Sequence, residues 1–432
     1  MSALIRLDGY MPVRIAGVVG LCQELSLDRL AVDLPTDVVL ADAATLPVEL
    51  LLTDSLTVRA EVTRGAGRPV GGMTRHLLEV VAYQADGRAR LTGHISSLRK
   101  TAHLNIVATE DVESAAVRAG WERWRLPHAA LPEIDADAID LSTWLFGKPL
   151  TGPLLIAGMT GGSERAGTVN RRLARVAQEL GLGMGLGSQR AMLETPALAS
   201  TFQVRDVAPN ILLLANVGAV QLNYGVGIDD VRRLVHDVQA DALAVHLNVL
   251  QEMVQPEGDR NWSGLRSKLG ALIEALDVPV IVKETGCGID GQTARALRDL
   301  GAAAIDVGGT GGTSWGWIEG FRAADPHSQA IGATFRDWGL PTAEALVAVR
   351  EALGPEFPIM ATGGVRTGLD VAKAVALGAD VAGMALPFFR AADVSVEQAL
   401  ALGRRVLDEL RIAAMCAGAA DLRALSGRIA GA

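Results

Sequence analysis

Eight short apolar runs, separated by longer amphipathic stretches, set the tightest limit on what this chain can fold into. They are "PLLIAGMTGG" (153–162), "GLGMGLGS" (181–188), "ILLLANVGA" (211–219), "ALAVHLN" (242–248), "VPVIVKETG" (278–286), "AAIDVGG" (303–309), "PIMATGG" (358–364) and "DVAGMAL" (380–386). Between them lie helix-like segments such as "AGTVNRRLARVAQEL", "GIDDVRRLVHDVQA" and "TGLDVAKAVAL". Strands that are apolar on both faces, each followed by a helix, predict parallel βαβ units buried on both sides. Eight in series predict a closed (β/α)8 TIM barrel, with a doubly wound open sheet as the alternative. The last helical stretch, "VEQALALGRRVLDELRIAAMCAGA", is expected to pack outside the final strand.

The first 98 residues have another rhythm. "VELLLTDSLTVRAEVTR" and "RHLLEVVAYQADGRARLTGHISS" carry strand patterns, and "ADGRA" reads as a turn between two strands. Residues 1–98 are therefore expected to form a small β-rich (α+β) domain of the hotdog type, with the barrel occupying 99–432. His76, Glu79 and His94 in this part are read as solvent-facing rather than as a second active site.

Composition narrows the function. The net charge of −9 has no basic block behind it, which argues against a nucleic-acid partner. Cys22, Cys287 and Cys416 are far apart and show no metal-binding spacing, as expected of a reduced, cytoplasmic protein. No run approaches the ~18 uninterrupted apolar residues of a membrane span, and the first residues do not read as a signal peptide.

In such barrels chemistry sits where strands run out into loops at their C-terminal ends. The first end offers Gly158, Met159 and Thr160, the second Ser188 and Arg190, and the third Asn216. The fourth carries His246, Asn248, Gln251 and Glu252; the fifth carries Lys283. The sixth leads into "GGTGGTSW", with Thr313 and Trp315. The seventh gives Gly363, Gly364, Val365 and Arg366, and the eighth Ala385 and Leu386. "TGGVRTG" ahead of a helix, next to "MALPFF", suits a phosphate, because bare backbone amides and a helix dipole favour an anion. Lys283 at the end of an apolar strand must face an anion, contact an electron-rich ring edge, form a Schiff base or pair with a carboxylate. Neutral donors and acceptors at 160, 188, 216 and 313 suit the rim of a heterocycle. Together these ends fit a mononucleotide such as FMN better than a dinucleotide, since no GxGxxG follows an early strand.

Nine motifs in order resemble one family: "RKTAH" (99–103), "MTGG" (159–162), "GSQR" (187–190), "ANVG" (215–218), "HLNVLQE" (246–252), "VKETG" (282–286), "GGTSW" (311–315), "PTA" (341–343) and "GGVRTGLD" (363–370). From Arg99 onward the chain is similar to the type 2 isopentenyl diphosphate isomerases, which use FMN. The resemblance implies that Gly158, Met159, Thr160, Ser188, Asn216, Lys283 and Thr313 bind the flavin. It places the flavin phosphate at Gly363, Gly364, Val365, Arg366, Ala385 and Leu386. Arg99, Lys100, Arg190, His246, Asn248 and Gln251 would hold the prenyl diphosphate substrate, with Mg²⁺ on Glu252. It also implies NADPH or NADH as reductant and a homo-oligomer, tetramer or octamer. Trp315 is expected either to stack near the substrate or simply to pack. Two departures stand out. Gly158 replaces the family's usual alanine, a swap expected to leave room for the flavin, and "RK" follows a 98-residue extension rather than lying near the start.

The implied reaction moves the double bond of isopentenyl diphosphate to give dimethylallyl diphosphate, with reduced flavin as acid and base, since no pair of carboxylates is evident at the strand ends. Three alternatives stay open: a flavin barrel acting on 2-hydroxy acids with His246 as base, a thiol enzyme using Cys287, and a non-catalytic flavin- or prenyl-diphosphate-binding regulator.

Overall fold

The computed structural model describes residues 5–431 apart from 39, 41–44, 54–55, 85–86 and 324. Six antiparallel strands come first: β1 (Ile5–Ile15), β2 (Val18–Leu25), β3 (Arg29–Pro35), β4 (Leu46–Thr53), β5 (Leu56–Val70) and β6 (Met73–Tyr83). They close into a barrel in the order β1-β2-β3-β6-β5-β4, with β4 pairing back onto β1 through Val13 and Leu50. A separate apolar core fills it, built on Val13, Ile15, Leu30, Leu50 and Leu78. A bidentate pair from Arg75 to Asp33, at 2.7 and 2.8 Å, ties β6 to β3. Closure removes the sheet edges that an open antiparallel sheet would expose. The small domain is thus a closed barrel rather than a hotdog sheet.

Two local expectations fail here. "ADGRA" does not join two strands, because helix α1 (Gly87–Thr109) starts within it and runs through the expected 98/99 boundary. Its pattern is hard to see because its two ends bury different faces. Leu91 packs in the small core, while Leu104 and Val107 pack in the large one. At ~100° per residue Leu91 and Leu104 lie about 140° apart around the helix, so no single apolar stripe marks it. His76 is also buried rather than solvent-facing, since it shares the inward face of β6 with Leu78 two residues on. His94 lies in α1, and its side chain is outside the described residues.

The large domain is the expected TIM barrel. Its strands are β7 (Leu154–Ile156), β8 (Gly183–Gly185), β9 (Leu213–Gly218), β10 (Ala242–Leu247), β11 (Val280–Glu284), β12 (Ala304–Asp306), β13 (Ile359–Thr362) and β14 (Val381–Met384). Each pairs in parallel with the next, and β14 closes onto β7 through Leu154–Ile156. The helices used below are α2 (Val249–Val254), α3 (Trp315–Arg322), α4 (Leu386–Val394) and α5 (Val396–Cys416). Helix α5 is the terminal stretch predicted to pack outside the last strand, and Val406 and Leu410 bury its inner face.

The N-terminal ends of the strands are tied by charge rather than opened for chemistry. Arg205 donates to the carbonyls of Gln239 and Ile211, both at 2.9 Å, and pairs with Asp241 at 2.6 Å. Asp241 also accepts from the amide of Leu213 at 2.8 Å, so one carboxylate joins the starts of β9 and β10. Side chains at this face of a barrel serve stability. Arg205→Met should therefore lower the unfolding free energy by about 2 kcal/mol, because the Gln239 and Ile211 carbonyls lose a charged donor, although Lys148 still faces Asp241 at 3.1 Å. Urea unfolding would show the loss, and FMN titration of the folded variant should match that of the parent.

Candidate active site

Register across the barrel puts chemistry in a row. Gly218 on β9 pairs with His246 on β10, His246 with Lys283 on β11, and Lys283 with Asp306 on β12. Two adjoining lobes open above this row. Gly158, Met159, Lys283, Thr285 and Trp315 line both.

The first lobe takes Thr160, Ser188, Arg190, Asn216, His246, Asn248, Gln251, Glu252 and Lys100 from the sequence reading. Asn216 Nδ2 donates to the Leu186 carbonyl at 2.9 Å, which leaves its Oδ1 to accept from His246 Nδ1 at 2.8 Å. The imidazole is therefore held with its proton on Nδ1 and its Nε2 lone pair free. Burial, reinforced by Lys283 and Lys100, pushes its pKa down to about 3, so the ring is neutral. At the start of α2, Asn248 Nδ2 donates to Glu252 Oε1 at 2.9 Å, while Glu252 Oε2 accepts from the amide of Asp259 at 2.7 Å. Burial raises the Glu252 pKa against those hydrogen bonds. Asn248 Oδ1 is buried and has no hydrogen-bond partner among the described residues. Arg190 is braced by Glu194 and Asp259, both at 2.6 Å.

The second lobe takes Thr313, Gly363, Gly364, Arg366, Ala385 and Leu386. Gly363 and Gly364 have φ of 103° and 66°, a left-handed backbone that other residues adopt only with strain. Helix α4 opens beside them without a side-chain cap at Ala385, and Ala385 and Leu386 line the lobe. The Arg366 guanidinium pairs with Glu113, and the Val365 side chain lies in the core. Lys283 donates to the Glu284 carbonyl at 2.7 Å and faces Asp306 at 3.7 Å. The backbone of Arg99 lies in α1, but its side chain is outside the described residues.

Gly158 lines both lobes. A Cβ there would meet the Leu186 carbonyl oxygen at 2.1 Å, so the glycine lets the chain just after β8 approach closely.

Several groups were invisible in the sequence. Glu319 on α3 is fully buried, yet it pairs with His103 at 3.0 Å and Arg322 at 2.8 Å and accepts from Gln251 at 2.9 Å. Burial alone would raise its pKa, but His103, Arg322 and Gln251 hold it well below the carboxylate range. His103 reaches the lobe from α1 and meets the Trp315 ring edge-on, with centroids 5.6 Å apart. Glu319 sits one helical turn beyond Trp315, and that (i, i+4) spacing was the available signal. Glu284 also forms its own nest: its carboxylate accepts from the amides of Thr285 and Gly286, both at 2.6 Å, and from Cys287. Burial nevertheless raises its pKa to about 7. Carboxylates thus do surround the cavity, but each is already engaged. The Cys287 thiol is pushed well above its ordinary pKa by burial and by Glu284, which disfavours the thiolate that a nucleophile requires.

The sequence profile of the FMN-dependent dehydrogenase family matches residues 228–430. An isopentenyl-diphosphate delta-isomerase from Synechocystis sp. is 52% identical over 76% of this chain and 94% of its own length. One from Stutzerimonas stutzeri is 50% identical over 76% and 94%. Among solved structures, mandelate oxidase with benzoyl-formic acid superposes with a TM-score of 0.53 at 19% identity, over 79% of this chain and 97% of that one. A flavocytochrome b2 mutant with pyruvate bound gives 0.55 at 14%, over 76% and 82%. At such identities the likeness concerns the fold alone. With half of the aligned residues shared across nearly the full length of such relatives, and a two-lobed cavity at the mouth of a flavin-type barrel, the chain belongs to the type 2 isopentenyl-diphosphate delta-isomerase family.

Proposed function

We propose that the chain converts isopentenyl diphosphate to dimethylallyl diphosphate, with FMN in the glycine-lined lobe and the substrate diphosphate in the lobe above α2. The observation that carries this reading is the division of one continuous cavity. The glycine-lined side is ringed by backbone at Gly363, Gly364 and Ala385, with Arg366 paired to Glu113, while the other gathers Lys100, Arg190, Asn248, Gln251 and Glu252, and Lys283 lines both.

The residues present fit both groups. The left-handed Gly363–Gly364 pair and the uncapped start of α4 suit a phosphate, and Lys283 suits the electron-rich edge of a flavin ring. Reduced there by NADPH or NADH, FMN would supply the acid and base that move a proton between the terminal alkene carbon and C2. Mg²⁺ fits Glu252, with the unpartnered Asn248 Oδ1 beside it supplying a second hard oxygen, and would neutralise diphosphate charge. Lys100 and Arg190 provide cations for the diphosphate; Arg190 is already oriented by Asp259 and Glu194. Gln251 uses one N–H on Glu319 and keeps the other for a substrate oxygen. Met159 and Trp315 line the boundary between the lobes, so the isoprenoid carbons meet apolar walls there. A Trp315 ring facing the reacting carbons would also stabilise a developing tertiary cation.

A 2-hydroxy-acid reaction is less well served, because His246 is held by an amide rather than by a carboxylate that would raise its basicity. No described helix is long and apolar enough to cross a membrane. We place the enzyme in the cytoplasm as a homo-oligomer, in which exposed Val249, Met253 and Phe321 would be covered.

Anaerobic incubation with isopentenyl diphosphate, FMN, NADPH and Mg²⁺ should yield dimethylallyl diphosphate, and absence of product would overturn the proposal in favour of a non-catalytic binding role. Glu252→Gln should raise the Mg²⁺ concentration for half-activation about tenfold, the equivalent of one lost charge-assisted contact. The yellow flavin should stay bound.

Glu284 gives a pH test on the FMN-free protein. Its folded pKa is raised from 4.5 to about 7, so the folded state binds more protons across that interval. Its contribution to stability is therefore greatest below pH 4.5 and is lost as pH rises through 7. Glu284→Gln should flatten that fall in urea midpoints; an unchanged slope would mean that the carboxyl does not titrate there.

A further inference from the structure

The six-stranded barrel has no role in the reaction derived above, yet it is joined covalently to the active site by one unbroken helix. Helix α1 has 23 residues, or ~35 Å at 1.5 Å per residue. Near its start Leu91 is fully buried in the core of the small barrel, where the helix packs on β5 and β1. Past its middle, Lys100, His103, Leu104 and Val107 line the first lobe, and the helix packs on α3 and α4. The carboxylate that His103 pairs with, Glu319, also accepts from Gln251 at the diphosphate end of that lobe. From Leu91 to Lys100 is nine residues, ~14 Å of helix.

We infer that the small barrel is a positioning module for the substrate lobe, seating the start of α1 so that Lys100 and His103 are held over the cavity. The physical reason is the cost of order. An unanchored segment bearing Lys100 would lose backbone and side-chain freedom each time it closed over a diphosphate. A helix fixed at one end in a separate core has lost that freedom at folding, so the substrate meets a cation already in place. Among the described residues α1 lines the first lobe and not the glycine-lined one, so the flavin's phosphate end lies outside its reach. Anything that displaced Leu91 from the small core would tilt the helix and move both side chains, which makes the module a handle on substrate affinity.

This inference rests on the substrate reading of the first lobe, and its test separates the two. In the full-length chain, Leu91→Ala loosens the anchor without touching the cavity. The double change Ser96→Gly and Ser97→Gly leaves the anchor intact and weakens the helix between anchor and site. Both variants should raise KM for isopentenyl diphosphate about tenfold and weaken binding of inorganic diphosphate with Mg²⁺ in calorimetry to a similar degree, with the FMN Kd held within about twofold. A parent-like KM and diphosphate affinity in the glycine double variant would overturn the inference. So would a parallel loss of FMN affinity in both variants, which would mark general damage to the large barrel. Failure of the parent enzyme to isomerise would instead count against the activity, and the calorimetry would still decide the role of the helix.

Discussion

Closure of β14 onto β7 is the constraint on which the rest depends. Once eight parallel strands pair in a ring, their faces are covered inside by side chains and outside by helices, and their N-terminal ends are tied, as Arg205 and Asp241 tie β9 and β10. Polar side chains are then left the C-terminal mouth. Register does the remainder: because His246, Lys283 and Asp306 are neighbours in one row, Lys283 adds to the burial that keeps the imidazole neutral and faces the Asp306 carboxylate before any ligand arrives. A one-residue slip in any of these strands would turn its member of the row away from the cavity.

Electrostatics at the mouth follows from burial. Glu252, Glu284, Asp306 and Glu319 are all buried carboxylates, and an isolated one would be protonated or destabilising. The chain answers each case differently. Glu319 is given two cationic partners and stays charged; Glu284 is given three backbone amides yet titrates near neutrality; Asp306 is matched by Lys283 and the Thr362 hydroxyl. Since these groups are committed to partners, the acid and base of the proposed isomerisation are assigned to the flavin. In the proposed reaction the protein's own contribution would be to hold the substrate's charge at one end and its hydrocarbon at the other.

The two barrels solve different problems and share one helix. The small one is closed by antiparallel pairing around its own core, and α1 is the segment by which that core bears on the catalytic one. A helix that buries opposite faces at its two ends is a poor amphipathic helix by pattern. That is why the stretch from Gly87 to Leu98 read as strand and loop, and why the domain boundary fell at residue 98.

What the sequence determined by itself is what depends on local pattern and order. The eight apolar runs gave the barrel, because a strand buried on both faces must be apolar along its whole length. The motifs at the strand ends gave most of the lining of both lobes, because a parallel barrel brings those ends to one mouth. Tertiary structure alone decided which side chains face one another. The Glu319–His103–Gln251 cluster joins three elements far apart in the chain, and the Asn216–His246 bond that fixes the tautomer joins two strands through their register. The close approach of Gly158 to the Leu186 carbonyl is likewise encoded by no sequence spacing. Such contacts are set by packing between elements, so they exist only once the ring has closed.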